Sequence, residues 1–115
     1  MISIDASSPT PLAEQIRRAV RRDIAEGRLR AGSSLPPVRK VAAAAGVNLN
    51  TVARAYRALE EEGLVSAVRG RGTEVVAVRE RHGASRRDLE LRARDLAADA
   101  SLGGHDARVV RSLLR

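Results

Sequence analysis

One asparagine and two arginines lie at helical spacing in the middle of the chain. Arg54 follows Asn50 by four residues and Arg57 follows Arg54 by three, so a helix would present all three on one face. Asn can form two hydrogen bonds with adenine, and Arg can form two with guanine. The spacing therefore predicts a helix face that reads base edges. The alternative is that Asn50 only helps to cap the helix and Arg54 only contacts phosphate.

Two helices and a tight turn are predicted to position that face. Gly46 is a candidate left-handed C-cap for the first helix, and Asn48 is a candidate N-cap for the second. We also expect Asn48 to contact DNA. Thr51 can cap the same helix end and donate to a phosphate. Arg39 lies on the polar side of the first helix, where it contacts DNA or forms a surface ion pair. The apolar positions that we expect to be buried are Val38, Val41, Ala42 and Ala45 in the first helix and Val52, Ala55, Tyr56 and Leu59 in the second.

A Gly-containing tip separates two β-prone runs, residues 64–68 and 73–78, which predicts a hairpin. Glycine lets the backbone approach a groove closely, and arginine reaches phosphates or the narrow minor groove. The alternative is a charged tip that keeps a two-stranded edge soluble. A hairpin after two helices predicts a winged helix-turn-helix, which places one helix in the DNA major groove. The tip residues that we expect to contact DNA are Arg69, Gly70, Arg71 and Gly72.

The remaining elements lie on either side of this unit. Thr10 is the candidate cap of an earlier helix with Pro11 at its first position, and Gly27 is its candidate stop. We expect residues 1–78 to form the winged helix-turn-helix domain and residues 79–115 to form a linker (79–87) and a short tail of two helices. Ser85 is the candidate cap of the first tail helix. The fold class is mainly α with a small β-hairpin. Apolar stripes on the tail need an apolar surface to cover them, which is either the preceding domain or a second copy of the chain. The residues through which we expect dimerisation are Leu89, Ala93, Leu96, Val109 and Leu113.

Composition points to a polyanionic partner. The 115 residues carry a formal net charge of +7, and the sequence pI is about 11.4. A GC-rich genome is an alternative cause of the arginine bias, but it does not explain the net charge. The chain has no cysteine, and its two histidines, His82 and His105, match no metal-ligand spacing. We expect no enzymatic activity, no cofactor and no metal.

Membrane association is not expected, because no segment approaches the roughly 18 apolar residues of a span. The first five residues also lack the pattern of a signal peptide. The sequence predicts a cytoplasmic bacterial protein associated with the nucleoid.

Residues 85–115 are too few to enclose a typical metabolite pocket, and whether a small-molecule effector binds is left open.

At these motifs the chain resembles the GntR family of bacterial repressors, and its YtrA-like branch in particular. The resemblance covers roughly residues 9–78. It implies a dimeric transcriptional regulator, often a repressor of transporter operons. Some relatives carry Arg where this chain has Leu49 and Ala53, so their base contacts do not transfer to those positions. The residues that carry the resemblance are Gly27, Leu29, Gly32, Leu35, Pro36, Arg39, Gly46, Val47, Thr51, Val52, Gly63, Leu64, Val65, Gly70, Arg71, Gly72 and Thr73.

Three hypotheses follow for the function. The first is a sequence-specific, dimeric repressor that binds double-stranded DNA at a palindromic operator. The second is a nonspecific architectural DNA-binding protein, for which the basic charge alone suffices. The third is an interaction module whose winged helix contacts protein. The pattern of cap and contact residues from Asn48 to Arg54 favours the first. The operator, the regulated genes and the direction of control are not encoded in recognisable motifs.

Overall fold

The computed structural model describes residues 4–77 and 83–114, and the chain divides into two compact units, Met1–His82 and Gly83–Arg115. The mainly α architecture with one small hairpin agrees with the predicted fold class. The predicted boundary after residue 78 lies outside the described residues and stays a prediction. The first unit contains α1 (Leu12–Ala25), α2 (Val38–Ala45), α3 (Leu49–Glu61), β1 (Val65–Val68) and β2 (Gly72–Val75); the second contains α4 (Arg86–Leu102) and α5 (Ala107–Leu113).

The first unit is built around one apolar core that is aliphatic except for Tyr56. α3 packs against both α1 and α2, so the predicted reading helix is also the centre of the core. The four apolar residues predicted for its inner face are all buried. The core residues are Ile16, Val20, Ile24, Leu35, Val41, Ala42, Val52, Ala55, Tyr56, Leu59, Val65 and Val75.

The start of α1 differs from the prediction. Pro11 occupies the N-cap position and no side chain caps the helix, so the prediction that Thr10 caps it is wrong. The Gln15 side chain instead accepts a hydrogen bond from the Asp5 amide at 2.8 Å. Its Nε2 donates to the carbonyls of Asp5 and Thr10, each at 2.9 Å. Gln15 thus holds the preceding segment against the helix, a contact that a cap motif does not encode.

The turn between α2 and α3 has the predicted chemistry. Gly46 adopts φ 68° and ψ 33°, the left-handed conformation that glycine adopts without steric cost. The Val47 amide donates to the Ala42 carbonyl at 3.1 Å, which satisfies one of the last carbonyls of α2. Asn48 then caps α3, because its side chain accepts from the Asn50 amide at 2.8 Å. The two helices are therefore joined by a three-residue turn with both ends capped.

β1 and β2 form an antiparallel hairpin in which Val65 faces Val75 and Val68 faces Gly72. Its strands are shorter than the predicted runs. The segment before α2 extends this sheet through an isolated bridge between Ser34 and Glu74. Three backbone hydrogen bonds of 2.8–2.9 Å join residues 32–35 to residues 73–75, and two of them form this bridge. The hairpin is thus fixed to the start of α2, which the sequence did not predict.

In the second unit, Ser85 caps α4 as predicted and forms a capping box with Asp88. Helix α4 begins at Arg86, so the prediction that the linker extends to Arg87 is wrong for its last two residues. Asp106 caps α5 by accepting from the amides of Arg108 and Val109. No residue of α4 or α5 in the described range is buried. Among the described residues, no helix is long and apolar enough to cross a membrane.

Candidate nucleic-acid interface

The first turn of α3 separates the capping role from the contact role. Asn48 supplies the cap through its side chain, whereas Asn50 contributes only its backbone amide to that cap. Asn50 is exposed, and its side-chain amide bonds to no residue within 4–77 or 83–114. The alternative in which the Asn50 side chain serves as a cap therefore does not hold in this structure. An unengaged amide on a helix N-terminus has the donor and acceptor that adenine requires.

Four predicted contact arginines are exposed, and no carboxylate of the described residues lies within ion-pair distance of them. They are Arg39 on α2, Arg54 and Arg57 on α3, and Arg69 at the hairpin tip. The ion-pair alternative for Arg39 thus has no partner in that part of the chain. By contrast, Arg17, Arg18, Arg21 and Arg28 each pair with a carboxylate. Unpaired guanidinium groups are the ones that can bind phosphate or guanine without first losing a partner.

The hairpin tip combines two positive-φ glycines with two arginines. The Arg71 amide donates to the Val68 carbonyl at 2.9 Å, and Gly70 has φ 81°, a turn conformation that favours glycine. Arg71 differs from Arg69, since its Nε lies 3.5 Å from a carboxylate oxygen of Glu74. Arg71 is 69% exposed at the side chain, so this weak surface pair leaves it available to another anion.

Tyr56 links α3 to the entry of α2. Its hydroxyl donates to the Pro36 carbonyl at 2.6 Å, and burial raises the pKa of Tyr56 to about 12. Because Pro36 lies just before α2, this bond fixes the helix that carries Arg39 relative to the helix that carries Asn50 and Arg54. The sequence identified Tyr56 as a core residue but not as this connection, since the partner is 20 residues away.

The far end of α3 is held by α1. Glu62 accepts a hydrogen bond from Arg17 at 2.9 Å and forms an ion pair with the Arg21 Nε at 2.9 Å. Arg17 also pairs with Glu14, and that hydrogen bond is the main reason that the pKa of Glu14 is lowered to about 2. The acidic C-terminus of α3 is thereby partly neutralised by α1. The two charged residues of α3 that precede Glu60 are Arg54 and Arg57, and both are basic and exposed.

The predicted dimerisation residues lie on the second unit with their side chains exposed. Leu89, Leu96, Val109 and Leu113 belong to the large apolar side chains that remain accessible there, and Ala93 is exposed as well. Leu91, Leu102 and Leu114 are also exposed and were not predicted. A surface of this kind favours a macromolecular contact. Its use for dimerisation stays a prediction.

Sequence reasoning did not assign a role to Leu49, which is 44% exposed beside the cap. Leu49 precedes Ala53 by four residues, so a helix places the two on the same side. That spacing is the signal in the sequence that identifies Leu49 as part of an exposed apolar surface. No group of three or more His, Asp or Glu that could hold a metal occurs in the described ranges. The exposed asparagine and arginines of the first unit offer hydrogen-bonding groups and positive charge.

A short turn between two capped helices, followed by a hairpin fixed to the first of them, defines a winged helix-turn-helix protein. The model of the bacterial regulatory proteins of the gntR family matches residues 12–75, which is more than half of the chain. The chain belongs to the gntR family.

Individual relatives are similar over this region. The HTH-type transcriptional repressor YtrA of Bacillus subtilis is 44% identical over 73 residues, which cover 64% of this chain and 56% of that protein. The chain spans about half the length of such curated relatives. Among solved structures, YtrA from Sulfolobus acidocaldarius has a TM-score of 0.67 at 34% identity, covering 84% of this chain and 97% of its own. A transcriptional antiterminator from Listeria monocytogenes has a TM-score of 0.82 at 27% identity, covering 99% and 87%.

Proposed function

We propose that this chain is a sequence-specific DNA-binding transcriptional regulator, a dimer that represses genes by occupying a palindromic operator. The observation that carries the proposal is the exposed set of Asn50, Arg54 and Arg57, whose side chains have no partner among residues 4–77 and 83–114 and lie on a helix capped by another residue. The family membership and the repressor name of the YtrA relative support the same reading.

In this mechanism α3 enters the major groove with its N-terminal turn. Asn50 and Arg54 contact base edges, because both can bond two atoms of one base. Arg57, Arg39 and Thr51 bind the phosphates on either side and fix the register. The N-terminus of α3 adds the positive end of its helix dipole. The hairpin tip, with Arg69 and Arg71, lies along the neighbouring backbone or minor groove.

Dimerisation is the second part of the proposal. One reading helix contacts only a few base pairs, and two linked copies bind two half-sites with an effective concentration set by the linkage. A two-fold protein dimer requires a two-fold operator, which is why a palindrome is expected. We assign the linkage to the exposed apolar residues of α4 and α5. A protein with this role acts at the nucleoid in the bacterial cytoplasm, and the regulated genes proposed from the resemblance are transporter genes.

The test is selection of bound sequences from a randomised DNA duplex library, read by sequencing. The proposal predicts enrichment of an inverted repeat whose half-sites are one helical turn apart, or a multiple of it. A nonspecific architectural protein is the competing candidate, favoured by the net charge of +7, and it predicts retained DNA without enrichment. Enrichment of a single unrepeated half-site would contradict the dimeric part of the proposal alone.

A further inference from the structure

Leu49 is the only large apolar side chain that is exposed in the described part of the first unit, residues 4–77. The other large apolar side chains that are exposed lie in α4, in α5 and, for Leu114, directly after α5. A single exposed leucine is ordinary on a protein surface. What distinguishes Leu49 is its place, as the first residue of α3 between the capping Asn48 and the unengaged Asn50. An apolar group at that position faces the same ligand as the N-terminal turn of α3.

Ala53 extends this apolar surface by one turn. It follows Leu49 by four residues and is partly exposed. At about 100° per residue, Leu49 and Ala53 lie between the buried face of α3 and its polar face, and Arg57 continues along the polar side. The two residues therefore form a narrow apolar strip beside the hydrogen-bonding side chains. No described side chain needs to move for a ligand to reach Leu49, since it is 44% exposed.

We propose that Leu49 and Ala53 read thymine by contact with its 5-methyl group, so that each operator half-site carries thymine next to the bases contacted by Asn50 and Arg54. This inference rests on the proposed function. Thymine presents its C5-methyl group in the major groove beside its O4 acceptor, whereas the other bases carry no methyl group there. Leu49 and Ala53 are apolar, so contact with that methyl group removes apolar surface of both partners from water. The strip thus selects thymine by apolar contact with its methyl group.

The experiment removes only the methyl group. The duplex enriched by the wild-type protein is synthesised with each thymine replaced in turn by 2′-deoxyuridine, which keeps the base pair unchanged. The inference predicts that at least one position per half-site weakens binding about fourfold, the effect of losing one buried methyl-sized group. Thymines outside the half-sites are the control on the DNA side and should have no effect. This measurement on the wild-type protein does not depend on the folding of any variant.

The matching protein variant is Leu49→Ala, whose site is exposed. It should bind the thymine and deoxyuridine duplexes with nearly equal affinity, whereas Arg22→Ala, an exposed change on α1, should keep the fourfold difference. A wild-type protein that prefers its selected duplex but ignores every deoxyuridine substitution would overturn the thymine inference and leave the proposed function standing. A Leu49→Ala variant that still binds the deoxyuridine duplex about fourfold more weakly than the thymine duplex would also overturn the thymine inference. A protein without preference over random DNA would overturn both.

Discussion

The side chains in the first turn of α3 divide into those that build the helix end and those that are free to bind a ligand. Asn48 uses its side chain for the cap, and Asn50, two residues later, keeps its own unengaged within the described residues. Arg54 lies one turn further on the same face and is exposed. Asn48 and Asn50 therefore differ in role, although each is an asparagine at the start of α3 and is a candidate cap from the sequence alone. The division predicts that the two kinds of residue respond differently to mutation.

Asn50→Ala and Arg54→Ala should each reduce discrimination between the selected duplex and random DNA. Each loses a two-bond base contact, which contributes about 1–3 kcal/mol of specificity. Arg71→Ala should weaken binding to both duplexes about equally, because its proposed partner is the backbone. Fluorescence anisotropy titrations of both duplexes measure the ratio. Arg22→Ala removes the same charge on α1 and serves as the control. An unchanged ratio in Arg54→Ala would mean that α3 is oriented differently.

At the scale of elements, α3 is fixed by contacts at both of its ends. The capped turn holds its start, the Tyr56–Pro36 hydrogen bond connects its middle to the entry of α2, and at its end are the pairs of Glu62 with Arg17 and Arg21. The hairpin is in turn hydrogen-bonded to residues 32–35, immediately before α2. The helices and the hairpin tip therefore hold their contact residues in one arrangement before any DNA binds. Such preorganisation limits the ordering that binding requires.

Tyr56→Phe tests this arrangement. It keeps the buried ring but leaves the Pro36 carbonyl without its donor, so the free energy of unfolding should fall by about 1–2 kcal/mol in urea titrations. In the wild type, the folded-state pKa is raised from 10.0 to about 12 by burial, since the neutral hydroxyl is the favoured form. That contribution is complete below pH 10 and is lost as pH rises through 12. Tyr56→Phe should lack this alkaline loss, and an identical pH profile in both proteins would argue against burial of the Tyr56 hydroxyl.

The elements that the sequence predicted are those governed by local chemistry. Gly46, Asn48 and Ser85 are caps whose residue type and position suffice to identify them. Thr10 was predicted wrongly, because Gln15 competes for the same segment through contacts up to ten residues away. The Tyr56–Pro36 bond and the Ser34–Glu74 bridge were not predicted either. Both join positions that are distant in sequence, and periodicity carries no information on such partners.

For the whole molecule, we expect the net charge and the tail of α4 and α5 to determine the affinity for DNA. A net charge of +7 includes exposed arginines on α2, α3 and the hairpin tip. If a dimer neutralises six or more phosphates, affinity should fall about 10³-fold or more between 50 and 200 mM salt. Titrations over a salt series give the slope, which Arg39→Ala and Arg69→Ala should each reduce. A flat response to salt would contradict phosphate binding.

The tail should supply the dimer. Leu89, Leu96, Val109 and Leu113 are exposed, and pairing with a second copy would remove them from water. A chain ending at residue 78 retains every core residue of the first unit, so it should fold. Sedimentation should show a monomer, and binding to the full palindrome should weaken at least 100-fold with little loss on one half-site. A truncated protein that stays dimeric would place the interface in the first unit.

The central claim is that α3 reads a specific sequence, and one ratio tests it most directly. The dissociation constants of the full chain for its selected palindrome and for a scrambled duplex of equal length and composition are measured at 150 mM salt. Sequence-specific binding predicts a ratio of at least about 10³ in favour of the palindrome. Phosphate contacts are the same on both duplexes and cancel in this ratio. A ratio near one would show that the basic surface alone binds DNA, and it would contradict the account.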